Sequence, residues 1–461
     1  MINKKDVLHI ITILITSLFA VITTLTTSNP VFHVIALWIL VLVAIFISKF
    51  DLLHPYFWFS SFFALYSSAY TIILVQGFQT NTGYSYENTL LSIIALTTVL
   101  LTIGPKKNES KEIDSEKSSC PKTSNLNVDR RLLRNVLFIL FVILVISVTI
   151  VSRLGIQSKS EFISNSYFSF RVATYTVRYI TLFCCLYLVI CGKRFKYGPI
   201  ILLCGIAVLF FSLFTAERDG IFRFLLVVVC AMFATQRIKR KTLPIVIGIS
   251  MVAVVMLSYL KYFFVNGSVR VGYNDHGIIY NFLNSDFAAA GENMQVLLNN
   301  PWTKSFNNYF LILTDLLSPF TIGFSTFNIG VWFNDTFYYG KSSRAFTLLG
   351  EGYVIGGYLG VIVLFFVVGI LVGTMYKKSI KNEYWLTAYI FTIATVASSF
   401  RGTLSSITVT LVKIAVVGLV GYIFYKTLLL RRQRTQQAFD VVRYGIKVSK
   451  GIENKSYTKK A

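Results

Sequence analysis

The chain has 461 residues, of which 55% are hydrophobic and only 14% are charged, and its formal net charge is +24 at pH 7. A soluble chain is on average about a quarter charged, and the mean hydropathy here is +0.65. These values exclude a water-soluble enzyme of two or three ordinary domains and predict an all-α, polytopic membrane protein. The positive charge is then interpreted as a topology signal rather than as a nucleic-acid footprint.

Apolar runs long enough to cross a hydrocarbon core of about 30 Å recur along the chain. The predicted spans are twelve in number: 7–27, 31–48, 56–76, 89–104, 133–152, 172–191, 199–215, 220–235, 243–262, 346–376, 384–399 and 404–429. They divide the chain into six regions: 1–104 with helices 1–4, a cytoplasmic linker at 105–131, 132–262 with helices 5–9, a large external loop at 263–345, 346–429 with helices 10–12, and a basic cytoplasmic tail at 430–461.

The connectors between these spans alternate between short Lys/Arg-rich segments and aromatic segments with few lysines. Under the positive-inside rule the basic set is cytoplasmic, which places both termini inside. This arrangement puts 31 of the 44 Lys and Arg residues inside, 12 outside and Lys413 within a span. The first span is expected to be retained, because no small-residue cleavage site precedes Ser28.

The external segment at 263–345 is too long for a simple connection. Helix-like patterns occur at Ile278 to Asn299 and at Phe310 to Leu317, and the aromatic residues suit an interfacial or sugar-contacting layer. Long ordered loops on a rigid scaffold often carry function. No cysteine falls in an external loop, so neither a disulfide framework nor a metal site is expected.

Arginine dominates the cations of the predicted external side. Eight of those 12 residues are arginines: Arg153, Arg171, Arg178, Arg218, Arg223, Arg270, Arg344 and Arg401. Arginine is the residue favoured for bidentate binding of phosphate or carboxylate. Each could instead extend to the interface or pair with a nearby acid, as Arg218 could with Glu217 or Asp219. No acid lies close in sequence to Arg401, which favours ligand binding there.

Glu351 lies in a glycine-rich stretch at the predicted outer mouth of a span. Gly352, Gly356 and Gly360 repeat every four residues, which is typical of close helix packing. An acid at a helix N-terminus is favoured in its ionised form by the helix dipole. Glu351 is therefore either a cap or a carboxylate that orients or deprotonates a hydroxyl.

His276 is the only histidine in the long external loop. It is either a surface residue or a second candidate base, and Asp275 beside it does not make a dyad because neighbours on a loop need not face each other. Nucleotide-binding and metalloprotease fingerprints are absent from the sequence, as is a nucleophile elbow. The expected chemistry therefore uses a lipid-borne substrate, with no nucleotide, metal or other cofactor.

Three short stretches resemble the Wzy-type O-antigen polymerases, the oligosaccharide repeat-unit polymerases. Residues 215–220 (Thr-Ala-Glu-Arg-Asp-Gly) are similar to the family's arginine turn, and 400–402 (Phe-Arg-Gly) to its late Arg-Gly turn. Residues 350–360 are similar to its Glu-x-Tyr-x-x-x-Gly-x-x-Gly stretch, except that Ile355 stands where related sequences often carry Asn. The span number, cytoplasmic termini and large late loop resemble the family's layout as well.

The resemblance implies a metal-independent, inverting glycosyl transfer at the periplasmic face of the bacterial inner membrane. A growing glycan on undecaprenyl pyrophosphate would be moved onto a lipid-linked repeat unit, and the partners would be these lipids, a chain-length regulator and a flippase. Arg218 and Arg401, helped by Arg344 and Arg270, are predicted to bind the pyrophosphate and stabilise its developing charge. Glu351 is the leading candidate to orient or deprotonate the acceptor hydroxyl, and His276 is the second.

Other functions compatible with the sequence are a polysaccharide flippase or other transporter, an O-antigen ligase, and a non-catalytic partner of a polysaccharide assembly machine. Transporters typically show short external loops, internal repeats and broken midplane helices. The long segment at 263–345 argues against a transporter, whereas a cation within the last span, Lys413, favours one. The sugars joined and the linkage formed cannot be derived from these residues.

Overall fold

The computed structural model of the protein describes most of the predicted spans and part of the long loop. The described residues are 4–77, 83–104, 130–153, 167–191, 198–215, 218–236, 238, 240–242, 245–246, 248, 256, 280, 282–283, 286–306, 309–320, 328–339, 346–413 and 415–416. All regular elements within these ranges are helices. The chain forms two compact units, residues 1–407 and residues 408–461.

Eight helices make up the first half of the chain. They are α1 (Lys4–Thr26), α2 (Pro30–Ile47), α3 (Pro55–Val75), α4 (Tyr86–Ile103), α5 (Arg130–Arg153), α6 (Tyr167–Cys191), α7 (Gly198–Thr215) and α8 (Arg218–Ala234).

Five further α-helices follow within the described residues, together with short 3₁₀ helices at Arg240–Thr242, Pro301–Phe306 and Ser318–Phe320. They are α9 (Asp286–Leu298), α10 (Phe310–Leu317), α11 (Ile329–Tyr338), α12 (Leu348–Ser379) and α13 (Glu383–Ser399). A short apolar helix covers Leu404–Lys413.

Local sequence signals explain where the early helices start. α2 and α3 each begin with a proline, whose fixed φ suits the first helical position and whose missing N–H is not needed there. The Asn29 side chain caps α2 by accepting a hydrogen bond from the Val31 N–H at 3.0 Å. Ser85 caps α4 in the same way.

The helices confirm a multi-pass membrane protein. Eight are long and apolar enough to cross a membrane: Asp6–Thr26, Pro30–Ile47, Pro55–Val75, Tyr86–Ile103, Leu133–Ile150, Phe168–Ile190, Gly198–Thr215 and Leu348–Ser379. The predicted spans at 220–235 and 384–399 coincide with α8 and α13, which have 17 residues each. The spans predicted at 243–262 and 404–429 lie largely outside the described residues, so the total of twelve and the sidedness stay predictions.

The outer faces of several long helices are apolar. On α1, for example, Leu18 is 61% exposed and Ile15 is 64% exposed. Continuous apolar surface of this kind is unfavourable in water and is what a lipid-facing helix presents.

The helix α12 coincides with the predicted span at 346–376 and is broken near its start. Gly356 has φ −168° and ψ 31°, and Gly357 has φ +60° and ψ −138°. The positive φ at Gly357 favours glycine. A Cβ on Gly352 would lie 2.8 Å from the Cα of Val361, so the short first piece of α12 lies against the longer second piece.

The glycines of α12 make close contacts, as the sequence pattern predicted. A Cβ on Gly360 would overlap the carbonyl oxygen of Gly352. Farther along, a Cβ on Gly369 would lie 2.8 Å from the Cβ of Thr102 in α4. The close packing is therefore of two kinds, one between the two pieces of α12 and one between α12 and α4.

The described part of the long loop contains packed helices. The helix predicted at Phe310 to Leu317 is confirmed as α10, whereas the pattern at Ile278 to Asn299 gives a continuous described helix, α9, only over Asp286–Leu298. α9 packs closely on α3, because a Cβ on Gly291 would lie 2.6 Å from the Cβ of Tyr70. The segment at 105–131, predicted to be a cytoplasmic linker, lies outside the described residues up to the start of α5.

Candidate functional site

Glu351 lies in the first turn of α12 and is completely buried, with 0% of its surface exposed. Its Oε2 accepts a hydrogen bond of 2.8 Å from the backbone N–H of Leu404. That N–H belongs to the first residue of the helix Leu404–Lys413 and has no acceptor within its own helix. Glu351 therefore caps the helix Leu404–Lys413, which follows α13 in the chain, rather than its own helix.

Two of the stretches that carry the family resemblance meet at this point. The backbone N–H of Leu348 donates to the carbonyl of Phe400 at 3.2 Å, beside the bond from Leu404 to Glu351. Phe400 is buried among the rings of Phe59 and Phe63 of α3. The Phe-Arg-Gly turn and the first turn of α12 are thus held together, and Arg401 follows directly on the buried Phe400.

A second carboxyl group, Asp315 of α10, interacts with Glu351. The two side chains lie within hydrogen-bonding reach of each other. Asp315 is 8% exposed, and burial raises the pKa of its carboxyl, while the hydrogen bond with Glu351 acts in the opposite direction. Like charges at such short range are unfavourable, which favours one proton shared by the pair. Among the described residues, no third Asp, Glu, His or Cys joins them to form a metal-binding group.

The two carboxyl oxygens of Glu351 differ in their hydrogen bonding. Its Oε1 is buried and makes no hydrogen bond of standard geometry to a described residue. A buried carboxyl oxygen without such a bond is costly, so this atom indicates where a proton or a substrate group would be stabilised.

A small cavity lies between α3, α4, α9 and the start of α12, and Phe400 also lines it. It holds about 250 Å³ of empty space, part of it open, and its lining residues are Phe63, Tyr66, Ser67, Asn88, Ala290, Gly291, Met294, Thr347, Leu349 and Phe400. The Asn88 side chain is 1% exposed, and neither its oxygen nor its nitrogen has a partner among the described residues. Aromatic walls with one amide side chain that has no partner among the described residues suit the face and a hydroxyl of a sugar.

A second, larger cleft of about 410 Å³ lies among α6, α7, α8 and α13. Its lining residues are Thr174, Val177, Arg178, Thr181, Phe211, Asp219, Gly220, Arg223 and Phe391. The Arg223 side chain is only 14% exposed, and its Nη2 lies 3.7 Å from Oδ2 of Asp219. Its Nε and Nη1 are buried without a partner among the described residues.

The arginine cleft is therefore electropositive and has donors to spare. Asp219 is 44% exposed and engages only one of the three guanidinium nitrogens of Arg223 at ion-pair distance. Arg178 lies with its guanidinium carbon 5.8 Å from the ring centre of Tyr175, on the same helix. The planar guanidinium of Arg223, with two nitrogens that have no partner among the described residues, is suited to bind an oxyanion such as a phosphate.

The predicted site residues are only partly brought together. Glu351 is held near the turn that carries Arg401 by the bonds from Leu404 to Glu351 and from Leu348 to Phe400, whereas His276, Arg270 and Arg344 lie outside the described residues. α8 begins at Arg218, but its side chain also lies outside them. Lys413, which favoured a transporter, is exposed and belongs to the second unit.

Four important residues were missing from the predicted site. Asp315 is the one charged residue of α10, and an acid within so apolar a segment was the available signal. Arg223 and Arg178 stood among the external arginines, and both lie inside apolar helices, where an uncompensated charge is costly. For Asn88 the sequence offered no comparable signal.

Comparison of the chain with protein-family models, with curated proteins and with solved structures found no match.

Proposed function

We propose that the protein is an O-antigen or polysaccharide repeat-unit polymerase of the bacterial inner membrane. It would transfer a growing glycan from undecaprenyl pyrophosphate onto a lipid-linked repeat unit at the periplasmic face. The observation that carries this proposal is the meeting of Glu351 with the Phe-Arg-Gly turn through the Leu404 N–H at 2.8 Å. Two stretches that resemble the polymerase family independently in sequence are neighbours in space.

The physical requirements of the reaction match the two sites described above. A diphosphate leaving group gains negative charge as its bond to the sugar breaks, and preorganised cations stabilise that charge. Arg401, at the turn bonded to Glu351, and the cleft with Arg223 and Arg178 are the arginines offered for this role within the described residues. The carboxyl pair supplies a group that can accept the proton of the acceptor hydroxyl.

A transporter is the second candidate, because two observations favour it. The break in α12 at Gly356 and Gly357 produces an interrupted helix of the kind that transporters use near their substrate sites. A buried carboxyl pair within a membrane protein is also a common part of proton-coupled transport. An O-antigen ligase, the third candidate, would need the same arginines and a similar carboxylate.

Deletion of the gene and inspection of the surface polysaccharide on a gel separates these candidates. A polymerase deletion loses the ladder of long chains and retains cores capped by a single repeat. Polymer that accumulates on the carrier lipid and does not reach the lipid core indicates a ligase. Loss of all repeats, including the single ones, indicates a flippase and contradicts the proposal.

Arginine variants in the deletion strain then test the assignment of sites. Arg401→Ala and Arg223→Ala are expected to abolish the ladder at normal protein levels, because each removes a cation for the leaving group. The matched control is Arg153→Ala at the end of α5, where the side chain is exposed. A normal ladder from both site variants would contradict the role of these arginines.

A further inference from the structure

The two members of the carboxyl pair differ in what surrounds them. We propose that Asp315, rather than Glu351, is the carboxylate that contacts the acceptor hydroxyl, and that Glu351 is a positioning residue that holds the shared proton. This assignment rests on the proposed glycosyl transfer. It reverses the role that the sequence pattern gave to Glu351.

The carboxyl groups of Glu351 and Asp315 differ in how accessible they are to a substrate. Glu351 is 0% exposed, so a substrate cannot touch its oxygens without displacing other residues, whereas Asp315 retains 8%. Asp315 also lies on α10, whose neighbouring side chains Leu313 and Leu317 are 46% and 47% exposed. Within the described part of the chain, Asp315 is thus the member of the pair nearer to the surface.

The second step concerns the bonds that Glu351 already makes. Oε2 is committed to the N–H of Leu404, which fixes the carboxyl plane and ties it to the turn that carries Arg401. Oε1 is left buried, without a standard hydrogen bond to a described residue, on a side chain that interacts with Asp315. A proton on Oε1, donated to Asp315, would satisfy this atom and both carboxyl groups at once.

The third step is the position of the charge. Of two adjacent carboxyl groups with one proton between them, the negative charge is less unfavourable on the one that is less deeply buried. That group is Asp315. The resting pair therefore consists of a neutral Glu351 that donates a hydrogen bond and an ionised Asp315 that is ready to accept a proton.

The reaction step then balances as follows. The oxygen of the acceptor hydroxyl forms a bond to the anomeric carbon of the donor sugar, and the bond from that carbon to the pyrophosphate oxygen breaks. The bonding electron pair leaves with the pyrophosphate, and the hydroxyl proton moves to Asp315. The pair returns to its resting state when Asp315 releases this proton to water.

Two isosteric variants distinguish this assignment from the reverse one. In Glu351→Gln the amide oxygen still accepts from Leu404 and the amide nitrogen still donates to Asp315, so the variant reproduces the bonds of a neutral Glu351. Asp315→Asn removes the proton acceptor itself. We expect Asp315→Asn to lower kcat by at least about 100-fold with little change in KM. The reduction in kcat caused by Glu351→Gln should be smaller than this by a factor of at least about ten.

The measurement uses the purified full-length chain in lipid nanodiscs, with lipid-pyrophosphate-linked repeat units as substrate. Asp335→Asn is the matched control, because Asp335 is an exposed aspartate on α11. Asp315→Glu, which keeps the carboxylate, is expected to recover part of the lost kcat. A larger loss in Glu351→Gln than in Asp315→Asn, or normal turnover by Asp315→Asn, would overturn the assignment.

A spectroscopic readout makes the test independent of activity. The infrared spectrum of the wild-type protein is expected to contain the C=O band of a protonated carboxyl group that is absent from Glu351→Gln. A band that persists in Glu351→Gln would place the proton elsewhere and overturn this part of the proposal. If the wild-type chain extends no glycan although the infrared difference is observed, the proposed function fails while the shared proton stands.

Discussion

The two polar sites of this molecule solve the burial of charge in opposite ways. At the carboxyl pair, Glu351 is covered completely and its charge is managed by neighbours, through the Leu404 N–H and the carboxyl of Asp315. At the arginine cleft, Arg223 is 14% exposed and keeps two guanidinium nitrogens without a partner among the described residues. The first arrangement fixes the position of a group, and the second leaves binding capacity for a ligand.

This difference indicates which site contributes to folding and which to binding. A buried polar group stabilises the fold through the hydrogen bonds that it makes, and its loss leaves the partners in those bonds unsatisfied. A buried cation with unused donors destabilises the fold until an anion arrives. Substitutions at the two sites should therefore move stability in opposite directions.

The largest effect is expected at the glycine contact that supports the carboxyl site. Gly360→Ala places a Cβ against the carbonyl oxygen of Gly352, and backbone atoms on both sides leave little room to adjust. We expect a loss of about 3 kcal/mol in the free energy of unfolding, or failure to accumulate in the membrane. The measurement is the yield of monodisperse protein and its thermal unfolding midpoint.

Gly83→Ala is the control for this substitution, since a Cβ there meets no atom within 4 Å. The chemical change is identical and only the surroundings differ. Equal behaviour of the two variants would mean that the first piece of α12 does not rest against the second.

The next effect is expected at Glu351 itself. Glu351→Leu fills a similar volume but leaves the N–H of Leu404 without its acceptor and Asp315 without its partner, which should destabilise the protein by about 2 kcal/mol. Glu351→Gln keeps both bonds and should be less affected. Thermal unfolding of the two variants in the same detergent compares them, and a Leu variant as stable as the Gln variant would show that these bonds contribute nothing to stability.

The residues of these two sites differ in how well the sequence predicted their roles. The apolar runs predicted the helices well, because length and hydropathy decide membrane insertion almost without tertiary information. Glu351 was identified because it lies at a helix start within a glycine pattern. Asp315 was missed because its partnership with Glu351 joins two separate helices, and nothing local to α10 predicts it.

The sequence pattern did not predict the break in α12 either. A four-residue glycine repeat predicts close contact but does not say which surface is contacted. Here Gly352 and Gly360 lie where the two pieces of α12 pack against each other, whereas Gly369 packs against α4. The non-helical backbone angles of Gly356 and Gly357 distinguish this turn from an ordinary helical glycine, and such angles are a property of the fold.

The arginine cleft should respond in the reverse direction. Arg223→Met preserves the long side chain and removes a charge with unsatisfied donors, while Asp219, its partner, is 44% exposed and can be hydrated. We expect the free energy of unfolding to rise by about 1–2 kcal/mol and glycan extension to be lost. Thermal unfolding and the polysaccharide ladder are measured on the same preparations.

Arg153→Met serves as the control, because Arg153 is exposed at the end of α5. A surface substitution of this kind changes stability by less than about 0.5 kcal/mol. If Arg223→Met destabilised the protein instead, the guanidinium would be contributing to folding, and the contrast between the two sites would fail.

The smallest effect is expected at Asn88, which lines the small cavity between α3, α4 and α9. Like Arg223, it has buried polar atoms without a partner among the described residues. Asn88→Leu replaces two buried polar atoms that have no partner among the described residues. The variant should be more stable by about 1 kcal/mol, since an unpaired buried amide is unfavourable and Leu has a similar volume. It should also extend glycans more slowly if the cavity receives a sugar hydroxyl. A loss of stability would mean that the amide already has a partner in the resting protein, such as a water molecule. Asn88 would then be, like Glu351, a buried group whose hydrogen bonds stabilise the fold.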